Sequence, residues 1–184
     1  HLAILQGNIT SSTGGILNDM WMHSYRGVSA ANYFLDNIEQ VKGLYDEIEY
    51  KKMRAEALFL RAYFYNELVV HYGDVPLLPK YIKLDDAPYG RTARTSRNEV
   101  VKQMLADVDY ALSNLPDVAY TNGHAVKGSA MVLKCRILLN DHKYGEVAKI
   151  AGEYIHSSTN PFRLAEDYAG IFFGKQLNNP EIMF

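Results

Sequence analysis

The sequence is poor in the two residues that most often announce a special chemistry: it holds one cysteine, Cys135, and one tryptophan, Trp21. A single cysteine excludes a disulfide framework within the chain and any cysteine-built zinc cage. No apolar run approaches the ~18 residues that a membrane-crossing helix needs. Neither sign of charge dominates, with 19 Lys and Arg against 21 Asp and Glu and a formal net charge of −2. That balance argues against a protein built around phosphate contacts. Catalytic signatures are missing as well: there is no G-x-S-x-G elbow, P-loop, dinucleotide fingerprint or H-E-x-x-H. The 6 histidines are scattered, and none pairs with another at helical spacing, so a helical metal site is not expected. No cofactor is expected either. The chain opens at His1 without a charged-then-apolar leader and stops in the apolar run Ile182-Met183-Phe184. It therefore reads as a piece of a larger protein.

What is present is a core-forming composition. At 184 residues and 48% hydrophobic content the chain can bury one core, and it lacks the low hydrophobicity and high net charge of a disordered segment. Its 14 tyrosines suit helix–helix packing or a carbohydrate-binding surface. Five segments carry helical periodicity. In the first, about 18–41, Trp21, Tyr25, Val28, Asn32 and Leu35 fall at alternating steps of four and three and draw one stripe. The second, about 48–72, is apolar nearly all round at its centre and should be packed on several sides. Gly73 stands where a left-handed cap is wanted, with Pro76 soon after.

Residues 74–95 break the pattern with Val75-Pro76-Leu77-Leu78-Pro79 and a turn-rich Asp85 to Gly90, a long irregular excursion of the kind that often carries function. Ser96 followed by Glu99 predicts a capping box at the start of a third helix, ending near Asn114. A fourth helix is expected over about 126–139 and a fifth over about 143–156, joined by Asn140-Asp141-His142 and hence antiparallel. Ala130, Leu133, Ile137 and Leu138 should face Val147, Ala148, Ala151 and Ile155. The fold class is therefore mainly all-α: one domain over 1–184 of stacked, tetratricopeptide-like helical hairpins, with the 74–95 excursion and a C-terminal start of a strand. Asn32, inside the first apolar stripe, needs its amide satisfied by the backbone of a neighbouring segment. Trp21 and Cys135 read as core, and the basic stretch Lys80 to Arg97 reads as a solvated loop leading into a capped helix.

The segment Arg54-Ala55-Glu56-Ala57-Leu58-Phe59-Leu60-Arg61-Ala62-Tyr63, continuing to Tyr72-Gly73-Asp74-Val75-Pro76-Leu77, closely resembles the hallmark stretch of the SusD/RagB family of Bacteroidetes outer-membrane nutrient-binding lipoproteins. Trp21, Tyr25, Val28 and Asn32 resemble its first-helix motif. Arg94-Thr95-Ser96 with Glu99-Val100, Asp107, Ala111 and Leu115-Pro116 resembles the next, Ala130, Leu133, Arg136, Tyr144 and Ala148 a later repeat, and Asn179 to Phe184 the lead-in to a strand. The resemblance covers the N-terminal helical part of such proteins. It implies a non-catalytic scaffold that captures oligosaccharide or polysaccharide at the cell surface and delivers it to a TonB-dependent (SusC-like) outer-membrane transporter. It also implies a lipid anchor on a cysteine that is not Cys135. The family's motifs are scaffold, so the ligand-binding candidates come from position: Asn8, Asn18 and Asp19 before and at the first helix, and Tyr89 in the long loop. Turn chemistry and capping are the competing roles, and Asn18 is a good N-cap. A helical interaction module that holds the transporter without touching ligand is the alternative function, and a hydrolase is a third.

Overall fold

A computed structural model describes residues 7, 10, 14–83, 91–120, 123–172 and 181–184. Among these residues six α-helices follow in order: α1 (Ile16–Asn37), α2 (Glu47–Tyr72), α3 (Arg97–Asn114), α4 (Lys127–Asn140), α5 (Tyr144–Ile155) and the single-turn α6 (Tyr168–Phe172). A 3₁₀ segment, Ile38–Leu44, extends α1 toward the turn before α2. α2 is the central rod and packs against α1, α3 and α4, as its all-round apolar character requires. Its Phe59, Ala62, Tyr65 and Leu68 join Val28 of α1, Met104 and Val108 of α3, and Leu133 and Ile137 of α4 in one core.

The helix boundaries follow local chemistry. Asp46 caps α2 by accepting from Glu49 N at 2.8 Å, and Ser96 caps α3 by accepting from Glu99 N at 3.4 Å. In the second half of the expected capping box the Glu99 carboxylate bonds the Ser96 hydroxyl rather than its backbone, at 3.3 Å. Gly73 ends α2 at φ 70°, its N–H donating to Val69 O at 3.0 Å. The expected cap at Asn18 is not where α1 begins. The chain breaks at Gly15, whose φ of 69° few other residues adopt, and Gly15 O already accepts from Asp19 N at 2.9 Å. Asn18 therefore sits inside the first turn.

Two further expectations change. No strand forms among the described residues; Val75 and Thr95 make one isolated antiparallel bridge that ties off the ends of the excursion. Residues 181–184 have no ladder partner among the described residues. They lie as an irregular tail, Phe184 edge-on to Phe59 at 4.9 Å and Met183 O accepting from Ser129 Oγ. α5 packs on α4 but buries no residue completely, and Ala148 and Ile155 are exposed rather than facing α4. Ile155 is 64% exposed. An amphipathic period fixes which face of a helix is apolar; what covers that face depends on the neighbours.

Candidate functional site

The excursion after α2 turns back and lies across α1 as a strap over residues 75–83. Proline-rich chain cannot satisfy itself by helix or ladder, so its carbonyls need outside donors. Side chains of α1 and α2 supply them. Tyr25 OH donates to Pro76 O at 2.8 Å, and Asn32 Nδ2 donates to Leu78 O at 2.7 Å and Lys80 O at 3.2 Å. Tyr65 OH accepts from Leu78 N at 2.7 Å. Beneath the strap, Arg61 donates through Nε and a terminal nitrogen to both carboxylate oxygens of Asp107, each at 2.7 Å. Its other terminal nitrogen reaches Asn32 Oδ1 at 3.0 Å. Asn32, Arg61 and Asp107 are 1%, 8% and 3% exposed, and this network joins three helices to the strap. The amide of Asn32 is satisfied by a neighbouring segment's backbone, as its place in an apolar stripe demanded.

Between α1 and the strap runs a cleft of about 640 Å³, lined by Trp21, Met22, Tyr25, Arg26, Ser29 and Asn32 on one side. Pro76, Leu78, Lys80, Ile82 and Thr92 line the other. Trp21 is half-buried. It packs edge-on to Tyr72 at 5.0 Å and tilted to Tyr25 at 4.9 Å, and the Arg94 guanidinium stands 5.5 Å from its ring centre. Tyr72 OH in turn bonds Leu17 O at the start of α1. Burial, with the Tyr65 hydroxyl nearby, pushes the Tyr25 phenol far above its ordinary value, so it is a fixed donor to the strap. Trp21 and Tyr25 thus belong to the core by one side and to the cleft by the other.

Of the residues expected to bind ligand from sequence, Asn8 and Tyr89 lie outside the described residues. Asn18 and Asp19 are exposed on the first turn of α1. At helical spacing Asn18 shares a stripe with Trp21, Met22 and Tyr25, and Asp19 with Met22 and Arg26, so both stand one turn before the cleft on its side of the helix. The cleft-lining residues themselves were not readable as a site, because α1 and the strap meet only in the fold. The basic stretch is divided by the structure. Arg97 donates to Asp141 Oδ1 and Asn140 O, both at 2.7 Å, pinning α3 to the α4–α5 turn. Arg94 donates to Asp74 O at 2.6 Å.

Among the described residues no three His, Cys, Asp or Glu side chains come together as a metal-holding group. Burial pushes the Cys135 thiol up, the opposite of an activated thiolate. No described helix is long and apolar enough to cross a membrane.

Residues 3–139 match the SusD-like family, described as starch-binding and associating with the outer membrane. The match covers well over half of the chain, and the chain belongs to that family. SusD-like protein P2 of Formosa agariphila is 26% identical over 163 residues, covering 88% of this chain and 32% of that protein. A SusD-like protein of Bacteroides fragilis is 32% identical with a TM-score of 0.78, covering 91% of this chain and 32% of that one. The surface glycan-binding protein A of Bacteroides fluxus is 24% identical with a TM-score of 0.77, covering 91% of this chain and 36% of that one, and shares its fold. The chain thus spans about a third of the length of these relatives, corresponding to the helical region of SusD-like structures.

Proposed function

We propose that this chain is the helical scaffold of a cell-surface glycan-capture protein, a single domain over 1–184 with the 74–95 excursion as its working loop. It binds oligosaccharide or polysaccharide without cleaving it and delivers it to a TonB-dependent outer-membrane transporter. A lipid on a cysteine other than Cys135, which is folded into the middle of α4, holds the protein at the membrane. Membership of a family described as starch-binding supports the ligand class. The observation that carries the reading to this chain is the α1–strap cleft. There, half-buried aromatic rings stand beside amide, hydroxyl and cationic groups on a support fixed from three helices. Sugars are held in this manner, apolar faces on aromatic rings and hydroxyls on fixed polar groups. Asn18 and Asp19 extend the polar edge of the cleft, and Asn8 and Tyr89 are further candidates for ligand contact.

The test is calorimetric titration of the full-length protein with a glycan panel, with product analysis. Saturable binding in about the micromolar to millimolar range is expected, with no product released and with weaker binding by Trp21→Ala and Asn18→Ala. Release of shortened glycan, or no binding to any panel member, would overturn it. A second reading, a helical module that only holds the transporter, draws on the exposed apolar side chains Leu44, Ile48, Leu139 and Ile155. It wins if changes at these positions abolish co-purification with the transporter while cleft variants, and separately Asn8→Ala and Tyr89→Ala, leave glycan affinity untouched.

A further inference from the structure

We propose that the α1–strap cleft selects acidic saccharides, Arg26 and Lys80 meeting a uronate carboxylate or sulfate ester while Trp21 and Tyr25 take the sugar ring. The inference rests on the glycan-capture reading and names its ligand class. Two observations carry it. First, among the described residues that line the cleft there are two cations and no carboxylate, the nearest acid along α1 toward its start being Asp19, which stands one turn before the lining at the cleft's edge. This occurs in a chain whose formal net charge is −2, so the sign belongs to the site and not to the molecule as a whole. Second, these cations are uncommitted. Lys51, Arg54, Arg61, Arg97, Lys127 and Lys134 each pair with a carboxylate, whereas the Arg26 and Lys80 side chains have no ion pair among the described residues.

Their backbones, by contrast, are held. Arg26 follows Tyr25, which is bonded to Pro76 O, and Lys80 O accepts from Asn32. Two charges are therefore fixed at their roots, with no carboxylate paired to their tips among the described residues. The carboxylate of Asp36, further along α1, is turned to the strap backbone, accepting from Tyr81 N at 2.9 Å. A free lysine on an open surface is ordinary. Two free cations that share a cleft with a half-buried tryptophan ring form an arrangement matched to an anionic group carried on a partly apolar ring. A guanidinium gives a carboxylate or sulfate two parallel hydrogen bonds, and an ammonium adds a point charge.

The experiment uses the full-length protein and paired probes: a polyuronate against its carboxyl-reduced neutral counterpart, a sulfated polysaccharide against its desulfated form, and poly-glutamate. Acidic polymers should bind about tenfold or more tighter than their neutral partners, less so as salt rises. The double variant R26A/K80A should erase that difference with helicity and unfolding midpoint unchanged, while W21A weakens acidic and neutral ligands alike. Response of the uronate pair alone, or the sulfate pair alone, names the group recognised. Equal binding of charged and neutral partners, or acidic binding unmoved in R26A/K80A, overturns the acid preference and leaves glycan capture standing. Poly-glutamate binding as tightly as the polysaccharides overturns it in favour of an acidic protein segment. No binding of any saccharide overturns the capture reading and this inference with it.

Discussion

Asp107 stands in the middle of α3 with its side chain turned inward, and Arg61 meets it from the middle of α2. Neither charge is reachable by much water, their side chains being 4% and 10% exposed. Removing two charges from solvent is costly, and the return comes only if geometry is good and the remaining donors are used. Here most are: the guanidinium has two bonds to Asp107, one to Asn32 and one to Pro79 O, and Asp107 Oδ1 also accepts from Gln103 Nε2 at 2.8 Å. Such a pair contributes less by its attraction than it costs to break. Asp107→Ala should therefore destabilise the fold by about 3–5 kcal/mol, because an unpaired guanidinium stays buried. The double change Arg61→Ala with Asp107→Ala should lose clearly less than the sum of the two single losses. Denaturant unfolding of the four proteins as a cycle measures this; strictly additive losses would show that the pair is not coupled. Asn32→Ala has a separate signature. It releases the strap carbonyls Leu78 O and Lys80 O from α1, so its effect should reach cleft affinity as well as stability.

Helices meet closely only where side chains permit, and α1 meets α2 at Gly27. A Cβ built there would stand 2.2 Å from the Phe64 ring, nearer than packed atoms can be, so the ring or the helix must shift. Overpacking of this kind costs about 1–3 kcal/mol, against a gain of about 0.5–1 kcal/mol from replacing a helical glycine by alanine. The clash wins, and Gly27→Ala should lower stability by about 1–2 kcal/mol. Gly152 is the internal control: it lies inside α5 with nothing within 4 Å of the added Cβ, so Gly152→Ala should stabilise instead. Thermal or denaturant unfolding of both variants reads the opposite signs. Gly27 shows where the sequence stops being legible. Periodicity placed α1 to α5 within a few residues, because caps and breakers such as Ser96 and Gly73 act locally. The partner that forbids a side chain at Gly27 is on another helix, and no local pattern records it. The same limit hid the cleft. Trp21 and Tyr25 fall on an apolar stripe and read as core, and only the strap, joined to Tyr25 across 51 residues of chain, turns their free edges into a lining. Asn18 is not a cap for a local reason, the Gly14-Gly15 break one turn earlier.

At the scale of the whole molecule, tyrosine hydroxyls fasten segments that disulfides hold in other folds. Tyr25 and Tyr65 fasten the strap, Tyr72 fastens the start of α1, and Tyr154 lies against the α3–α4 connection, where Asp117 influences it. Burial pushes the phenols of Tyr65 and Tyr154 up to about 12 and that of Tyr25 higher still. In the unfolded chain all three ionise near ~10. Above that pH the unfolded state releases protons that the folded state keeps, so the unfolded state binds fewer protons and stability falls as pH rises. The contribution of the buried phenols is complete below pH ~10 and declines between ~10 and ~12. Denaturant midpoints should therefore be flat around pH 8–9 and drop steeply above ~10, with phenolate absorbance rising together with loss of helicity rather than before it. Tyr154→Phe separates this from general alkaline damage. The Tyr154 hydroxyl is buried against the Asp117 carboxylate, the contact falling short of good hydrogen-bond geometry, so its removal should cost less at neutral pH than the loss of a full hydrogen bond. With one fewer phenol held neutral by the fold, the variant should lose less stability than the parent on going from pH ~9 to ~11. Parallel declines in both proteins would show that the phenols are not the groups that link alkaline pH to unfolding.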